Sequence, residues 1–358
     1  MSAGRVGGAD ADGSKHEPSG SDRAPLGPRI IRAPNHLGDV VAALPALVAD
    51  GSDVMVVRWL APLLEMAGVP GAVLPLERGA RGFGRAVREL RRRGYERGVL
   101  LTPAFSAAWL FRWGGVRHLR GTATDGRSLF LAERVPAEAL RPYHRTRAYD
   151  LLLGRDPVGP PRTHRLVPPE ARVARWRAAT GAATGPLVGL FPGAHAPARR
   201  WPAERFAALA RETLALGARV VVLGGPGEAA LTSSVAAEAP EALDTGGRTD
   251  LVDLAALLSL CDLVVTNDTG PMHLAGSVGT PTVSLWGPSD PHEVRQVGAA
   301  DVRVTGPDLP CKPCRRNHCG RSGTGTLLPD AHEECMRLIE VRDVLGAVAA
   351  RLGGGATA

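Results

Sequence analysis

Short apolar segments alternate with predicted helices along this chain, and this alternation constrains the fold more than any other feature. Arg29–Ala33 is typical of a strand, and it leads through a Gly-containing loop into an apolar helix predicted over 40–49. A second series starts with a strand at Leu187–Phe191 and continues with strands predicted at 220–223, 263–266 and 282–285. Apolar strands connected by helices indicate parallel, doubly wound sheets. The sequence therefore predicts an α/β fold.

The chain has 358 residues, more than one ordinary core needs, so two domains are expected. The segment 156–164 is rich in Pro and Gly and is predicted to link them. We predict an N-terminal domain over 28–165, a C-terminal domain over 166–335, and a C-terminal helix and tail over 336–358. Residues 1–27 are predicted to be a disordered tail, because they cannot bury enough apolar surface to become ordered. The strand carboxyl ends of both domains should face one central cleft, where ligands of such sheets bind.

The net charge of +7 favours polyanionic partners, which include diphosphates, nucleic acids and anionic membrane surfaces. The sequence has no apolar run of 18 residues and no hydrophobic segment at its start that would suit a secretory signal. We therefore expect a cytoplasmic protein, with peripheral contact to the inner face of the membrane as a further option.

The strongest site signal lies in the C-terminal half, where the strand at 263–266 runs into a polar turn and a helix. Pro271 suits the first turn of that helix, whose free amides would attract an anion such as a phosphate. Asp268 could accept hydrogen bonds from sugar hydroxyls, and His273 lies one turn further on. The alternative is that Asp268 and Thr269 only cap the helix.

Two further loops follow strands of the same half. Gly193 lies in a turn after Leu187–Phe191, and Arg199 and Arg200 come shortly after it. Their guanidinium groups could bind a diphosphate, although a solvated surface pair is the alternative. Glu228 lies in the turn after the next strand and is a candidate ribose acceptor. That turn lacks the G-x-G-x-x-G pattern, so dinucleotide binding is only weakly supported.

In the N-terminal half the corresponding loop carries Asp39 after Gly38, at the entry of the apolar helix. A helix start stabilises a carboxylate, which would suit a general base. The alternative is that Asp39 is only the N-cap of that helix.

Together these segments resemble the heptosyltransferases of glycosyltransferase family 9, in particular the heptosyltransferase II branch, over nearly all of 29–348. The stretches that carry the resemblance are the Gly38-Asp39 loop with Ala43-Leu44-Pro45-Ala46-Leu47, Leu101-Thr102-Pro103-Ala104-Phe105-Ser106, Pro192-Gly193-Ala194 with Arg199-Arg200-Trp201-Pro202, Thr266-Asn267-Asp268-Thr269-Gly270-Pro271-Met272-His273, and Leu285-Trp286-Gly287-Pro288-Ser289.

The resemblance implies a glycosyltransferase B fold, with two Rossmann-like domains facing a central cleft. It also implies an ADP-heptose donor, inversion at the anomeric carbon and no catalytic metal. In agreement, an Asp-x-Asp pair occurs only at Asp10 and Asp12, in the predicted tail. No cofactor beyond the donor is expected, and the acceptor is a glycan, a glycolipid or a small molecule.

The same resemblance assigns roles to individual residues. Asp39 is expected to deprotonate the acceptor hydroxyl, and Asp268 to contact the donor sugar. The resemblance adds Thr269, Gly270 and His273 to the predicted donor-binding residues, which from the loops described above also include Gly193, Arg199, Arg200 and Glu228. Arg199 stands where many members of the family have a lysine that binds the diphosphate. Independently of the resemblance, the predicted acceptor-binding residues are Asn35, His36, Arg88 and Arg92. The last two lie on a basic helix predicted over 82–93, which could instead be a solvated face or contact an anionic leaflet.

Four cysteines cluster late in the sequence: Cys311, Cys314, Cys319 and Cys335. They predict either a structural zinc site or reduced structural thiols, since two complete Cys-x-x-Cys pairs are lacking.

Two other functions stay open from the residues alone. A nicotinamide-dependent oxidoreductase could share this architecture, although the missing glycine pattern argues against it. A basic nucleic-acid binder with a zinc site around the four cysteines would be a non-enzymatic alternative, and it predicts steep salt dependence with DNA or RNA. The glycosyltransferase interpretation expects no nucleic acid partner.

Overall fold

The computed structural model describes residues 28–124, 126–181, 185–319 and 334–353. The tail predicted over 1–27 lies outside these residues, as does 354–358 at the other end.

The first domain is built on a parallel sheet of six strands. In chain order they are β1 (Arg29–Arg32), β2 (Asp53–Val57), β3 (Val73–Leu76), β4 (Arg97–Leu100), β5 (His118–Thr122) and β6 (Glu133–Val135). Their order across the sheet is β3-β2-β1-β4-β5-β6. The first three strands are added towards one edge and the next three towards the other, so the strand order reverses between the neighbours β1 and β4. Crevices at such reversals are where ligands of doubly wound sheets bind.

The second domain repeats this plan with another six parallel strands. These are β7 (Leu187–Phe191), β8 (Arg219–Val222), β9 (Leu243–Asp244), β10 (Leu263–Asn267), β11 (Thr282–Trp286) and β12 (Asp301–Thr305). The order β12-β11-β10-β7-β8-β9 has the same reversal, here between β7 and β10. The side chains of β7, β10 and β11 are all buried, as expected for strands with helices on both faces.

Helices cover both faces of each sheet. The N-terminal half contributes α1 (Leu37–Asp50), α2 (Ala61–Met66), α3 (Gly79–Arg93), α4 (Phe105–Trp113), α5 (Arg145–Leu152) and α6 (Glu170–Thr180). The C-terminal half contributes α7 (Ala203–Ala215), α8 (Ala229–Ala237), α9 (Leu251–Leu260), α10 (Gly270–Val278), α11 (Pro291–Val294), α12 (Glu334–Arg337) and α13 (Val341–Gly353). The predicted α/β class is therefore confirmed.

The two domains share apolar contacts. Helix α1 packs against α10, and α2 packs against α9. One continuous cluster of buried side chains includes Leu44 and Leu63 from the first domain and Leu257 and Leu274 from the second. Because α1 and α10 both begin at the carboxyl edges of their sheets, this packing brings the two helix starts together.

Candidate active site

The first half of the site is the start of α1. The helix begins at Leu37, three residues earlier than predicted, with His36 in extended backbone as its N-cap. Asp39 therefore lies inside the first turn. The alternative that Asp39 is the N-cap is wrong, because His36 occupies that position. The carboxylate of Asp39 is thus available for other contacts.

Those contacts come from α5, which packs along α1. Nη1 of Arg145 lies 3.4 Å from Oδ1 of Asp39. Tyr149 is buried beside them, and this burial, together with the negative charge of Asp39, raises the pKa of the phenol well above its usual value. The phenol stays neutral, and Arg145 places a full positive charge next to Asp39. Sequence reasoning missed both residues, because only the packing of α5 on α1 brings them to Asp39.

The second half of the site is the start of α10. Thr269 is the N-cap, and its side chain makes no capping hydrogen bond. Asp268 precedes it and is fixed by its backbone N–H, which donates to the carbonyl of Leu285 at 3.1 Å. Capping therefore does not explain why Asp268 and Thr269 occupy this turn.

Asp268 is almost completely buried, with 2% of its surface exposed. Nη1 of Arg199 lies 3.3 Å from its Oδ2, close enough for an ion pair but without the geometry of a hydrogen bond. Burial raises the pKa of Asp268, and the charge of Arg199 opposes that rise. The buried atoms Oδ2 of Asp268 and Nε of Arg199 lack hydrogen-bond partners. Buried polar atoms are rarely left unpaired, so this group is a strong indication of a ligand site.

Asn267 ties the loops around Asp268 together. Its Nδ2 donates to the carbonyl of Pro192 at 2.9 Å, and its Oδ1 accepts from the backbone N–H of Trp201 at 3.0 Å. Arg200 also holds this loop, since its Nε donates to the carbonyl of Ala194 at 2.8 Å. Arg199 thus points at Asp268 while Arg200 is exposed on the outside of the loop. The sequence did not single out Asn267 as the connector.

Glu228 packs directly on the Gly193 turn. Its Oε2 accepts from the backbone N–H of Gly225 at 2.8 Å. A Cβ atom on Gly193 would lie 1.7 Å from Oε1 of Glu228, so this carboxylate occupies the space that a side chain at residue 193 would take. The two predicted donor-binding residues are therefore neighbours.

The two halves of the site face each other across the cleft at very short range. A Cβ atom on Gly38 would lie 2.8 Å from Cδ2 of His273, and one on Gly270 would lie 2.7 Å from Cβ of Leu37. The rings of His36 and His195 are 5.8 Å apart. Burial lowers the pKa of His273 to about 4, so its imidazole is neutral at physiological pH. The helix starts of both domains thus form one site.

The predicted acceptor-binding residues divide into two groups. Asn35 and His36 lie in the loop that leads to Asp39, and Asn35 is held by Nη2 of Arg32 at 2.6 Å. Arg88 and Arg92 lie on the exposed side of α3, where Arg92 pairs with Glu89 at 2.7 Å. Among the described residues, no hydrogen bond or ion pair joins Arg88 or Arg92 to the Asp39 loop.

Comparison with known proteins agrees with this geometry. The model of "Glycosyltransferase family 9 (heptosyltransferase)" matches residues 83–323, which is more than half of the chain. The chain belongs to glycosyltransferase family 9. It is 30% identical over 264 residues to lipopolysaccharide heptosyltransferase 2 of Escherichia coli K12, which covers 67% of this chain and 74% of that protein. It is 28% identical over 259 residues to lipooligosaccharide heptosyltransferase 2 of Haemophilus influenzae, covering 67% of this chain and 75% of the relative.

Solved structures show the same fold. The structure of E. coli ADP-heptose lps heptosyltransferase II superimposes with a TM-score of 0.74 at 21% identity and covers 92% of this chain and 100% of that one. A glycosyltransferase family 9 protein from Veillonella parvula gives a TM-score of 0.75 at 22% identity, over 93% and 99% of the two chains. The glycosyltransferase B fold with two facing domains is confirmed, and this member of family 9 is a glycosyltransferase.

The cysteines of this family 9 glycosyltransferase do meet in space. All four line one small cavity of about 20 Å³, and burial raises the pKa of Cys335 to about 11. In the described ranges, no group of three or more His, Cys, Asp or Glu side chains is arranged to hold a metal. The zinc hypothesis therefore gains no support from this geometry and stays a prediction. Cys261, in contrast, is buried in the core.

No helix within the described part of this family 9 member is both long and apolar enough to cross a membrane.

Proposed function

We propose that this enzyme is an inverting, metal-independent heptosyltransferase. It would move a heptose from an ADP-sugar to a hydroxyl group of a glycan or glycolipid acceptor, with Asp39 as general base. The observation that carries the proposal is that Asp39, at the start of α1, and Asp268 with its partner Arg199, at the start of α10, face each other in one cleft. Family membership favours this function over an oxidoreductase or a nucleic-acid binder.

The donor side is supported by the second domain. The start of α10 presents backbone amides and the positive end of the helix dipole, which together stabilise a diphosphate. Arg199 adds a guanidinium that can exchange its contact with Asp268 for a phosphate oxygen. Oδ2 of Asp268 would then be free to accept a hydrogen bond from a sugar hydroxyl. Relatives whose names specify heptose transfer support a heptose as the sugar.

The acceptor side is supported by the first domain. Asp39 would take the proton of the acceptor hydroxyl as its oxygen forms a bond to the anomeric carbon, while the bond from that carbon to the diphosphate breaks on the opposite face. The developing charge on the leaving diphosphate would be met by the α10 amides and Arg199 rather than by a metal. Arg145 would orient the carboxylate of Asp39 towards the acceptor.

Contact with an anionic membrane surface is part of this proposal. Phe105, Trp109 and Trp113 form a stripe along α4, and the two tryptophans are 42% and 56% exposed. Their rings stack 6.2 Å apart, and Nε of Arg91 on the basic helix α3 donates to the carbonyl of Trp113 at 2.9 Å. Exposed tryptophans beside arginines are typical of surfaces that insert into the head groups of anionic membranes.

Two experiments test these statements. Purified enzyme is incubated with ADP-heptose, ADP-glucose and UDP-glucose and with candidate acceptors, and released nucleotide is measured. Preference for a donor other than an ADP-sugar would reject the donor assignment.

For the membrane, we expect co-sedimentation with vesicles of phosphatidylglycerol and phosphatidylcholine but not with vesicles of phosphatidylcholine alone. The double variant Trp109→Ser, Trp113→Ser should lose this binding, whereas Trp59→Ser, at another exposed tryptophan, should retain it. Equal binding by both variants would contradict the membrane surface.

A further inference from the structure

A cavity of about 140 Å³ opens at the carboxyl edge of the first sheet, close in sequence to the start of α1 with Asp39. Its walls come from β1, from the loop after β3 with the start of α3, and from the start of α4. The lining residues include Arg32, Asn35, Glu77, Gly79, Phe83 and Ser106. The cavity is smaller than the roughly 300 Å³ expected for a complete drug-sized ligand, so it suits one part of a larger molecule.

The wall contributed by β1 carries a buried charge without a counter-ion. Arg32 is 3% exposed, and burial lowers its pKa to about 10. Its guanidinium donates to the carbonyls of Ala33 and Met55 and to Oδ1 of Asn35, all of them uncharged groups, and its Nε has no partner. In the described part of the chain, no carboxylate forms an ion pair with Arg32. A buried cation of this kind is costly unless an anion compensates it.

Two helices also point their positive ends at the cavity. Gly79 is the first residue of α3, and Ser106 is in the first turn of α4; neither helix has a side-chain hydrogen bond at its N-cap. The first amides of such helices attract anions. Glu77 opposes this attraction, but its carboxylate is already paired with Arg58 and Arg85. From Arg32 and the two helix starts we therefore expect a positive electrostatic potential inside the cavity.

We propose that this cavity binds an anionic group of the acceptor, a carboxylate or a phosphate, and thereby positions the acceptor hydroxyl at Asp39. The inference rests on the proposed function in that the first domain receives the acceptor. Asn35 connects the two places: it lines the cavity, is held by Arg32, and lies in the loop that leads into α1, four residues before Asp39. Neutral acceptors would leave the charge of Arg32 uncompensated and would bind more weakly.

Inorganic phosphate is the first probe, with binding measured by ³¹P line broadening in the absence of donor and acceptor. Ser106→Glu introduces a carboxylate at the cavity from an exposed position in the first turn of a helix, where a negative charge does not disturb folding. We expect it to weaken phosphate binding at least tenfold. Ser234→Glu makes the same change at an exposed helical serine of the second domain and should have no effect.

Phosphate can also bind at the donor site. A third variant distinguishes phosphate binding at the donor site from phosphate binding at the cavity. Arg199→Met should remove binding at α10 and leave binding at the cavity intact, whereas Arg32→Gln should do the reverse. A thermal melt shows whether the Arg32→Gln variant is folded. If this variant does not fold, the Ser106→Glu variant alone tests the cavity. Glucuronate and glucose 6-phosphate, each compared with glucose, then distinguish a carboxylate from a phosphate as the preferred group.

Phosphate binding that is insensitive to both Ser106→Glu and Arg32→Gln would overturn the anion site. So would equal affinity for glucose, glucuronate and glucose 6-phosphate. These outcomes are independent of the proposed transfer reaction, whose failure would appear as absent nucleotide release with every ADP-sugar while phosphate still bound at the cavity.

Discussion

The starts of α1 and α10 have the same construction, yet their aspartates are in opposite environments. Each helix follows a buried parallel strand, and each has an aspartate within two residues of its first residue. The side chain of Asp39 is 32% exposed and pairs with Arg145, whereas that of Asp268 is 3% exposed and pairs with Arg199. One carboxylate is accessible from the cleft and the other is enclosed by the protein.

This difference matches the two tasks that we propose. A base must reach the proton of an incoming hydroxyl and therefore needs an approach from solvent. A carboxylate that positions a donor sugar acts best in a desolvated pocket, where its hydrogen bonds are stronger. The strand–turn–helix unit thus fixes the location of each aspartate, and the segments packed around it determine its environment.

Removal of the exposed carboxylate should have the largest effect. In Asp39→Asn we expect kcat for transfer to fall by about 10³-fold, within the range for loss of a general base. Affinity for ADP should remain unchanged, since the nucleotide would be held by the other domain. Asp308→Asn removes an exposed carboxylate elsewhere and should keep full activity. Transfer by Asp39→Asn at the parental rate would show that the base is another group.

Removal of the buried carboxylate should act on the donor instead. Asp268→Asn is expected to raise KM for the nucleotide sugar by about 10- to 100-fold, as expected when a buried hydrogen-bond acceptor loses its charge. Steady-state kinetics at saturating acceptor measure this change, with the Asp308→Asn enzyme as control again. If kcat fell and KM stayed constant, the roles assigned to the two aspartates would have to be exchanged.

The glycines that bring the two helix starts together provide the third test. In Gly270→Ala the new Cβ would lie 2.7 Å from Cβ of Leu37, so the domains could not approach as closely. We expect transfer to fall about tenfold, since small displacements of reacting groups are costly in rate. Gly346→Ala on α13 meets nothing within 4 Å and should keep its activity. A fully active Gly270→Ala enzyme would mean that catalysis does not require this contact.

Local patterns were sufficient to predict the elements that hold these residues. The buried strands β1, β7, β10 and β11 were predicted to within one residue at each end, because parallel strands have apolar runs without alternation. The start of α1 was predicted three residues late. His36, its N-cap, is not a typical capping residue and makes no side-chain bond there, so the usual signal was missing.

Contacts between distant segments could not be predicted in the same way. Arg145 and Tyr149 are separated by one helical turn on an ordinary helix, and only the packing of α5 on α1 brings them to Asp39. The buried state of Arg32 is equally invisible in the sequence, since arginine is rarely found inside a protein. Arg88 and Arg92 were predicted as acceptor ligands from charge alone, and their exposed position on α3 does not support that role.

The smallest effect that we predict concerns His273, the side chain of α10 that faces Gly38. Its pKa is lowered from 6.5 to about 4 by burial, so between these values the unfolded chain binds a proton that the native protein does not. The free energy of unfolding therefore decreases as the pH falls from 6.5 to 4, by at most about 3 kcal/mol from this residue. Above pH 6.5 the contribution disappears, because the imidazole is neutral in both states.

Glutamine at this position does not titrate, so His273→Gln should lose less stability than the parent across the same interval. Chemical denaturation at pH 7, 5.5 and 4 measures the difference, with His118→Gln as a control at an exposed histidine. Because groups far from residue 273 titrate identically in parent and variant, their contributions cancel in the difference. Parallel pH profiles for His273→Gln and the parent would mean that this imidazole is hydrated in solution, and that the two helix starts are further apart than their packing in this structure implies.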